Sequence, residues 1–294
     1  MTRSDETNAS RASATPPPVA RYGAVLVPVD GSDLAERALA PAAWLADRFG
    51  AGLHVVAARV ARDERWWYEN YANEIAARLP GSTPHVSDER DVATAVLATA
   101  AELDPCLVCM ATHGRSRSAA VMGSTFADVA ARGEAPLVAV GPGAVAHTNE
   151  AAARLLVCLD GGPVAEQALP LAAAWARALG LRISLVTATD PILVSREEAH
   201  ADGHYPPDGD PRVYLEAMAA RPELRGLAVD REVMWGLAYP HIGIGEHLER
   251  HPAALVVATS HARRGVARAA LGSEAAKIVH RSPAPVLVQP AARG

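Results

Sequence analysis

Short, continuous apolar runs alternate along this chain with longer segments in which apolar residues recur three and four positions apart. The first run, residues 24–29, is typical of a strand buried on both faces of a sheet. Residues 33–49 follow with helical spacing, and Gly50 after them predicts a glycine C-terminal cap. Strands that alternate with helices in this way predict an α/β fold with a parallel, doubly wound sheet.

The same pattern occurs twice. The segment 25–31 returns in similar form as 155–161, so that Asp30 and Asp160 occupy the same place in each copy. A repeat of this length implies two whole domains, because solenoid repeats are only about 20 to 50 residues long. The chain is therefore predicted to hold two tandem Rossmann-like domains, each with a five-stranded, mostly parallel sheet, related by a pseudo-two-fold axis.

The other elements of each copy follow from the same rules. Weak third strands and clear fourth and last strands alternate with helical stretches. The predicted elements are a strand at 155–159, a helix at 163–179 that ends at Gly180, second strands at 53–57 and 181–186, helical stretches near 65–79 and 211–220, third strands near 85–86 and 228–233, fourth strands at 106–110 and 255–258, helices from about Gly123 and Gly272, and last strands at 137–140 and 286–288.

These elements place the boundaries of the domains. Residues 1–20 are polar and rich in Pro, which predicts a disordered tail. The first domain is expected at 21–143 and the second at 154–290, joined by a linker at 144–153. The last strands of the two copies should meet, because as edge strands they would otherwise be unpaired.

Composition limits the partners. The chain has 294 residues, of which half are hydrophobic and only 4% aromatic, so each half can bury an aliphatic core. A net charge of −5 disfavours nucleic acid as a partner. No apolar run reaches the roughly 20 residues of a membrane span, and no signal peptide is evident. Three cysteines in this length indicate a reducing compartment, so we expect a cytoplasmic location.

The loop after the fourth strand is the best candidate for chemistry. In the first copy it runs from Ala111 to Thr125. Gly114 and Gly123 can take positive φ and let backbone N–H groups approach an anion closely. Gly123, Ser124 and Thr125 then open a helix, where free N–H groups and the positive end of the dipole favour phosphate.

These features together resemble the universal stress protein family in its tandem form. The resemblance covers about residues 21–290 and rests on the strand that ends in Asp, the loop Gly-x-x-Gly…Gly-Ser/Thr and the Ala-Pro-Leu-Val ending. It implies a stress-response protein that binds ATP around this loop and that self-associates as a homo-oligomer. The resemblance does not specify whether Mg²⁺ accompanies the nucleotide. It also implies that Asp30 and Asp160 face the adenine end of the nucleotide.

Both loops depart from the family pattern. The first has Ala111 for the leading glycine and a spacer one residue short, whereas the second has Thr259 and Ala262 for both leading glycines. Glu274 also lies in the first turn of the second helix, where a carboxylate would repel phosphate. The first half is therefore the favoured site. The predicted nucleotide-binding residues are Asp30, Gly31, His113, Gly114, Arg115, Gly123, Ser124, Thr125, Asp160, Gly272 and Ser273.

Several of these residues have simpler explanations. Asp30 and Asp160 are equally consistent with ordinary turn or cap residues. His113 and His261 recur at matched positions in the loops, where they could brace the loop or lie near phosphate. Arginines 115, 117, 263 and 264 suit phosphate contacts, but a solvated basic loop explains them as well.

Three other motifs favour a structural explanation. Cys106 and Cys109 look like a redox or zinc motif but lie within a predicted buried strand, where i and i+3 point to opposite faces. His247 and His251 have helical spacing without the Glu of a zincin signature, which disfavours a metal site. The cluster 66–68 (Trp-Trp-Tyr) could cap adenine, but packing is the preferred explanation.

Three functions compete at this point. The favoured one is a regulatory protein, not an enzyme, that binds an adenine nucleotide without efficient turnover, because no Walker lysine or general base is evident. The alternative is an interaction or dimerisation module whose pockets have decayed, which the substitutions in both loops favour. An adenylyltransferase-like enzyme is the least favoured, because the expected catalytic residues are absent.

Overall fold

The strands of both halves join in a single sheet. The computed structural model of the chain describes residues 21–58, 65–114, 122–133, 135–145, 152–189, 210–235, 239–260 and 271–290. The predicted tail, residues 1–20, lies outside them. The strands are β1 (Ala24–Val29), β2 (Gly52–Ala58), β3 (Thr83–Ser87), β4 (Cys106–Ala111), β5 (Leu137–Val140), β6 (Arg154–Cys158), β7 (Arg182–Thr189), β8 (Val229–Trp235), β9 (Leu255–Ser260) and β10 (Val286–Pro290).

Helices connect the strands and cover both faces of the sheet. None in the described part of the chain is long and apolar enough to cross a membrane. The helices are α1 (Asp33–Glu36), α2 (Leu39–Phe49), α3 (Arg65–Arg78), α4 (Val92–Glu102), α5 (Ser124–Arg132), α6 (Pro163–Glu166), α7 (Ala168–Leu179), α8 (Pro211–Ala219), α9 (Pro240–Arg250) and α10 (Ser273–Arg281), with a 3₁₀ turn at Pro222–Leu224.

The strand order is β3-β2-β1-β4-β5-β10-β9-β6-β7-β8. Within each half all neighbouring strands are parallel. The two halves meet where β5 and β10 pair antiparallel, with Val138 opposite Leu287. This confirms the predicted α/β class, the two five-stranded halves and the contact between last strands. It also agrees with the predicted pseudo-two-fold axis, because a rotation of 180° that exchanges the two halves places their last strands side by side and antiparallel.

The first helix of each half differs from the prediction. The expected single helices at 33–49 and 163–179 are each broken after one turn, into α1 with α2 and α6 with α7. Pro41 and Pro170 explain the break, because proline lacks the N–H that a continuous helix needs and is tolerated in the first turn. Each lies in the first turn of the second segment. At the break in the first half, the N–H of Ala38 reaches back only to the carbonyl of Ala35, at 3.2 Å.

Two helices had no predicted bounds, although the spacing of His247 and His251 indicated a helix in that part of the chain. Helices α4 and α9 carry the crossovers that return the chain from β3 to β4 and from β8 to β9. The Ala- and Thr-rich segment 92–102 shows little contrast between its faces, and residues 240–250 contain two glycines, which lower helix propensity. Both are helical because they cover apolar strands that would otherwise be exposed.

The cores do not divide at the repeat boundary. One core lies on the sheet face covered by α1–α3 and α6–α8, and the other on the face covered by α4, α5, α9 and α10. Each contains residues of both halves. Trp175 on α7 is fully buried against Phe49 of α2, with ring centroids 5.1 Å apart. Ala144 and Ala152, near the two ends of the predicted linker, are also buried.

Candidate functional site

The carboxyl ends of β1 and β4 open a cavity in the first half. These strands are neighbours in the centre of the half-sheet, where ligands bind in doubly wound folds. The cavity has a volume of about 260 Å³. Apolar side chains, among them Tyr68, Val92 and Met110, line part of it. Its lining also contains six of the residues predicted from the loop and strand motifs: Asp30, His113, Gly114, Gly123, Ser124 and Thr125.

Asp30 has two roles in this geometry. Its Oδ1 accepts hydrogen bonds from Ser32, from the backbone N at 3.0 Å and from the hydroxyl at 2.6 Å. Gly31 has a φ of 83°, the left-handed conformation that this tight turn requires. Oδ2 faces Gly114, where an added Cβ would lie only 2.4 Å away. Asp30 is therefore a turn residue and also part of the cavity, whereas Gly31 is a turn residue that is not among the residues lining the cavity.

The end of β4 is held by hydrogen bonds of Thr112. The backbone N–H of Thr112 donates to the carbonyl of Val140, at 3.0 Å, and the carbonyl of Thr112 accepts from Gly123, at 2.8 Å. The hydroxyl of Thr112 lies 2.9 Å from Nδ1 of His113. His113 is buried, and its ring is 5.7 Å from that of His280 in the second half. Thr112 was not among the predicted residues.

The two glycines of this loop do not use a positive φ. Gly123 has a φ of −61°, and Gly114 is not among the described glycines with positive φ. The reason for glycine is close approach instead. A Cβ on Gly123 would lie 3.1 Å from the carbonyl oxygen of Thr112, so that it would press on the end of β4.

The N-terminus of α5 supplies the polar end of the cavity. The helix begins at Ser124 after Gly123, which offers no side-chain cap, and it has no acidic residue in its first turn. Its first N–H groups therefore have no capping side chain at Gly123, and the positive end of its dipole faces the cavity. The hydroxyls of Ser124 and Thr125 add two donors beside it. This end of the cavity suits an anion.

The second half has a different local charge. Glu274 lies in the first turn of α10 and contacts both His241 and Lys277. Burial alone would raise the pKa of this carboxyl, but the hydrogen bonds from Lys277 and His241 outweigh it and lower the pKa below its ordinary value. The carboxylate thus stays charged at neutral pH in the first turn of α10, where its negative charge disfavours a second anion.

The remaining predicted residues lie apart from the cavity of the first half. Asp160 accepts a hydrogen bond from the backbone N of Gly162, at 2.9 Å, in a turn that repeats the one at Asp30. Gly272 caps α10, and Ser273 begins it. The other candidates in these loops lie outside the described residues: Arg115, Arg117, His261, Ala262, Arg263 and Arg264.

Comparison with known proteins settles the family. The model of the Universal stress protein family matches the chain twice, over residues 21–141 and 152–290. The chain belongs to the universal stress protein family. The comparison with curated proteins gave no match.

Solved structures agree with this family at the level of the fold. A universal stress protein from Archaeoglobus fulgidus DSM 4304 is 19% identical, with a TM-score of 0.63, and the match covers 92% of this chain and 97% of that one. A functionally unknown protein from Pseudomonas aeruginosa PAO1 is 15% identical, with a TM-score of 0.60, over 92% and 93% of the two chains. A universal stress protein solved in complex with cAMP is 22% identical over 46% of this chain and 94% of its own, with a TM-score of 0.36.

The cysteines of this family member are core residues. Cys109 is fully buried in β4, and Cys106, at the start of that strand, is half-buried. Burial raises the pKa of the Cys106 thiol to about 11 and that of Cys158 to about 12, and it raises the pKa of Cys109 as well. All three are free thiols, and the structural interpretation of Cys106 and Cys109 fits this placement.

We expect these thiols to react slowly in the folded protein. At pH 8 a thiol with a pKa of about 11 is only about 0.1% thiolate, and the thiolate is the reactive form. Titration with Ellman's reagent should show all three cysteines reacting in denaturant and a much slower reaction in native buffer. A native thiol that reacts as fast as free cysteine would contradict the buried placement.

His247, in the last turn of α9, has a carboxylate partner, and His251 directly follows the helix. His247 is buried, its Nδ1 lies 3.1 Å from a carboxylate oxygen of Glu232, and its ring is 4.9 Å from that of His251. Burial lowers the pKa of His247, although the Glu232 carboxylate opposes this effect. In the described ranges no three His, Cys, Asp or Glu side chains are grouped to hold a metal ion.

The aromatic cluster of α3 divides between packing and the cavity. Trp66 is 65% exposed, whereas Tyr68 is 2% exposed and lines the cavity. Trp67 packs between Tyr68 and Tyr71, with ring centroids 4.8 and 5.2 Å away. The preferred packing role holds for Trp67 but not for the exposed Trp66, and Tyr68 contributes to both the core and the cavity wall.

Proposed function

We propose that this universal stress protein is a regulatory, nucleotide-binding protein of the stress response. It binds an adenine nucleotide, with ATP as the predicted ligand, in the cavity of the first half and does not turn it over efficiently. The observation that carries the proposal is that one cavity joins the Asp30 carboxylate, an apolar wall and the uncapped N-terminus of α5.

Each part of the cavity matches one part of a nucleotide. The apolar wall at Tyr68, Val92 and Met110 offers a surface for the flat base, where few polar groups set the orientation. The N–H groups at the start of α5, with the hydroxyls of Ser124 and Thr125, offer donors for phosphate. The matching position in the second half has a charged carboxylate, Glu274, which supports the first half as the site.

The residues around the cavity support binding without rapid hydrolysis. Among its described lining residues only Asp30, Tyr68 and His113 carry titratable side chains. One oxygen of Asp30 is engaged by Ser32, and Nδ1 of His113 by Thr112. A general base needs a lone pair within hydrogen-bond reach of an attacking water. Oδ1 of Asp30 and Nδ1 of His113 are engaged within the loop structure, and we assign the remaining oxygen of Asp30, which faces the cavity wall at Gly114, to binding the nucleotide. The proposal includes self-association of whole chains, through surfaces other than the last strands, which already pair within the chain.

Calorimetric titration of the purified full-length protein with ATP, ADP and AMP tests this function. We expect one nucleotide per chain, because only the first half has an anion-binding helix start without a carboxylate. A steady-state assay for ADP and phosphate should show release far slower than nucleotide exchange. Absence of binding by all three nucleotides would favour the interaction module, and rapid product release would favour an enzyme.

A further inference from the structure

The cavity of the first half is in contact with the second half through one pair of histidines. His280, in the last turn of α10, packs against His113, with the ring centroids 5.7 Å apart and the planes inclined by 57°. His113 is 4% exposed and lines the cavity, whereas His280 is not among the lining residues. His280 thus touches the wall of the cavity from outside.

The end of α10 has a fixed position on the first half. Gly141 follows β5 and lies so close to this helix that an added Cβ would be 2.1 Å from the carbonyl oxygen of Val279. The backbone N of Val145 also donates to the carbonyl of Pro283, at 3.0 Å. Both contacts cross the seam between the halves on either side of His280. Its ring is therefore presented to His113 by a rigid backbone.

The residues that His113 connects are those that shape the cavity. His113 lies between Thr112, whose carbonyl receives the N–H of Gly123 at the start of α5, and Gly114, which faces the Asp30 carboxylate. A shift of His113 would move both the phosphate end of the cavity and the Asp30 end. Within the first half, the hydrogen bonds of Thr112 hold the backbone next to His113 and contact Nδ1 of its ring. From the second half, His280 packs against the same ring.

We propose that His280 is a positioning residue for the nucleotide cavity of the first half, an inference that rests on the proposed function. It holds the His113 ring in place and so keeps Gly114 against Asp30 and the end of β4 against α5. The second half, whose own helix start carries a carboxylate, thereby supplies a structural part of the site in the first half.

The test uses the full-length chain with three substitutions. His280→Ala removes the ring, His280→Phe keeps a ring of similar shape, and Arg281→Ala changes the exposed neighbour on the same helical turn. We expect His280→Ala to weaken ATP binding roughly 3- to 10-fold in calorimetric titration, the range for loss of one aromatic contact. His280→Phe should restore most of the affinity, and Arg281→Ala should leave it within about 2-fold of the wild type.

A second measurement does not depend on a ligand. Hydrogen exchange at the amides of residues 112–114 should be faster in His280→Ala than in the wild type and normal in His280→Phe, with exchange in the core strands unchanged. The positioning role is refuted if the wild type binds nucleotide and His280→Ala binds it with equal affinity. It is also refuted if Arg281→Ala lowers the affinity as much as His280→Ala does. If the wild type binds no nucleotide, the proposed function fails, and unchanged exchange at 112–114 would then also refute the positioning role.

Discussion

Replacing Trp175 with Ala should destabilise the folded chain by about 3 to 5 kcal/mol, the usual cost of removing a large aromatic side chain from a core. The indole is fully buried on α7. It packs edge to face against Phe49, at 5.1 Å, and against Tyr22, at 5.8 Å, both of which belong to the first half. Its removal would therefore leave a cavity between the halves and loosen their contact on that face of the sheet.

Urea denaturation followed by circular dichroism measures this effect. The matched control is Trp66→Ala, because Trp66 is the same residue type but 65% exposed, and its loss should change the unfolding free energy by less than about 0.5 kcal/mol. Equal midpoints for the two variants would show that Trp175 does not join the halves as described.

Replacing Asp30 with Ala should weaken adenine nucleotide binding about 10- to 100-fold, because charge-assisted hydrogen bonds contribute about 1.5 to 3 kcal/mol. The cost in stability should be smaller, about 1 kcal/mol, the value of one turn or cap interaction. The turn depends on Oδ1, which accepts from Ser32, whereas Oδ2 faces the cavity wall at Gly114.

Asp160→Ala is the matched control for this variant. Asp160 makes the same turn in the second half, with Gly162 in place of Ser32 as donor. Its loss should cost a similar stability and leave nucleotide affinity unchanged. Calorimetric titration and thermal unfolding of both variants separate the two roles of the aspartate. A loss of binding with Asp160→Ala but not with Asp30→Ala would place the site in the second half.

Much of the fold was predictable because buried parallel strands leave a clear apolar signature. The runs at β1, β4 and β5, and their copies, show in the sequence, and the pairing of β5 with β10 followed from the cost of an unpaired edge. The helix breaks were not predicted, because the helical spacing continues through Pro41 and Pro170. Helix α4 was missed, and α9 was indicated only by the spacing of His247 and His251, because tertiary packing, and not a strong amphipathic pattern, makes both segments helical.

The candidate site was predictable where topology brings residues together. Asp30 and the loop after β4 meet because the carboxyl ends of neighbouring parallel strands share one edge. From the sequence, Tyr68 could either cap adenine or pack in the core. Its place in the cavity wall depends on how α3 packs, which the sequence pattern does not specify. The contact of His280 with His113 depends on the seam between the halves, which no local pattern encodes. A positive φ at Gly123 was considered from the sequence and is not observed. Glycine is favoured both where φ is positive and where a Cβ would clash, so the sequence alone does not distinguish the two.

The antiparallel pairing of β5 with β10 has a consequence for how this protein can diverge. In an assembly of two identical chains, every substitution appears on both sides of the axis, so a change that abolishes one pocket abolishes both. Here the two halves are encoded by different parts of one chain, so each can change independently. The covalent connection keeps them at a high effective concentration relative to each other. Glu274 can therefore occupy one helix start while Thr125 occupies the other. Such a molecule can keep one half for a ligand and free the other to evolve under different constraints.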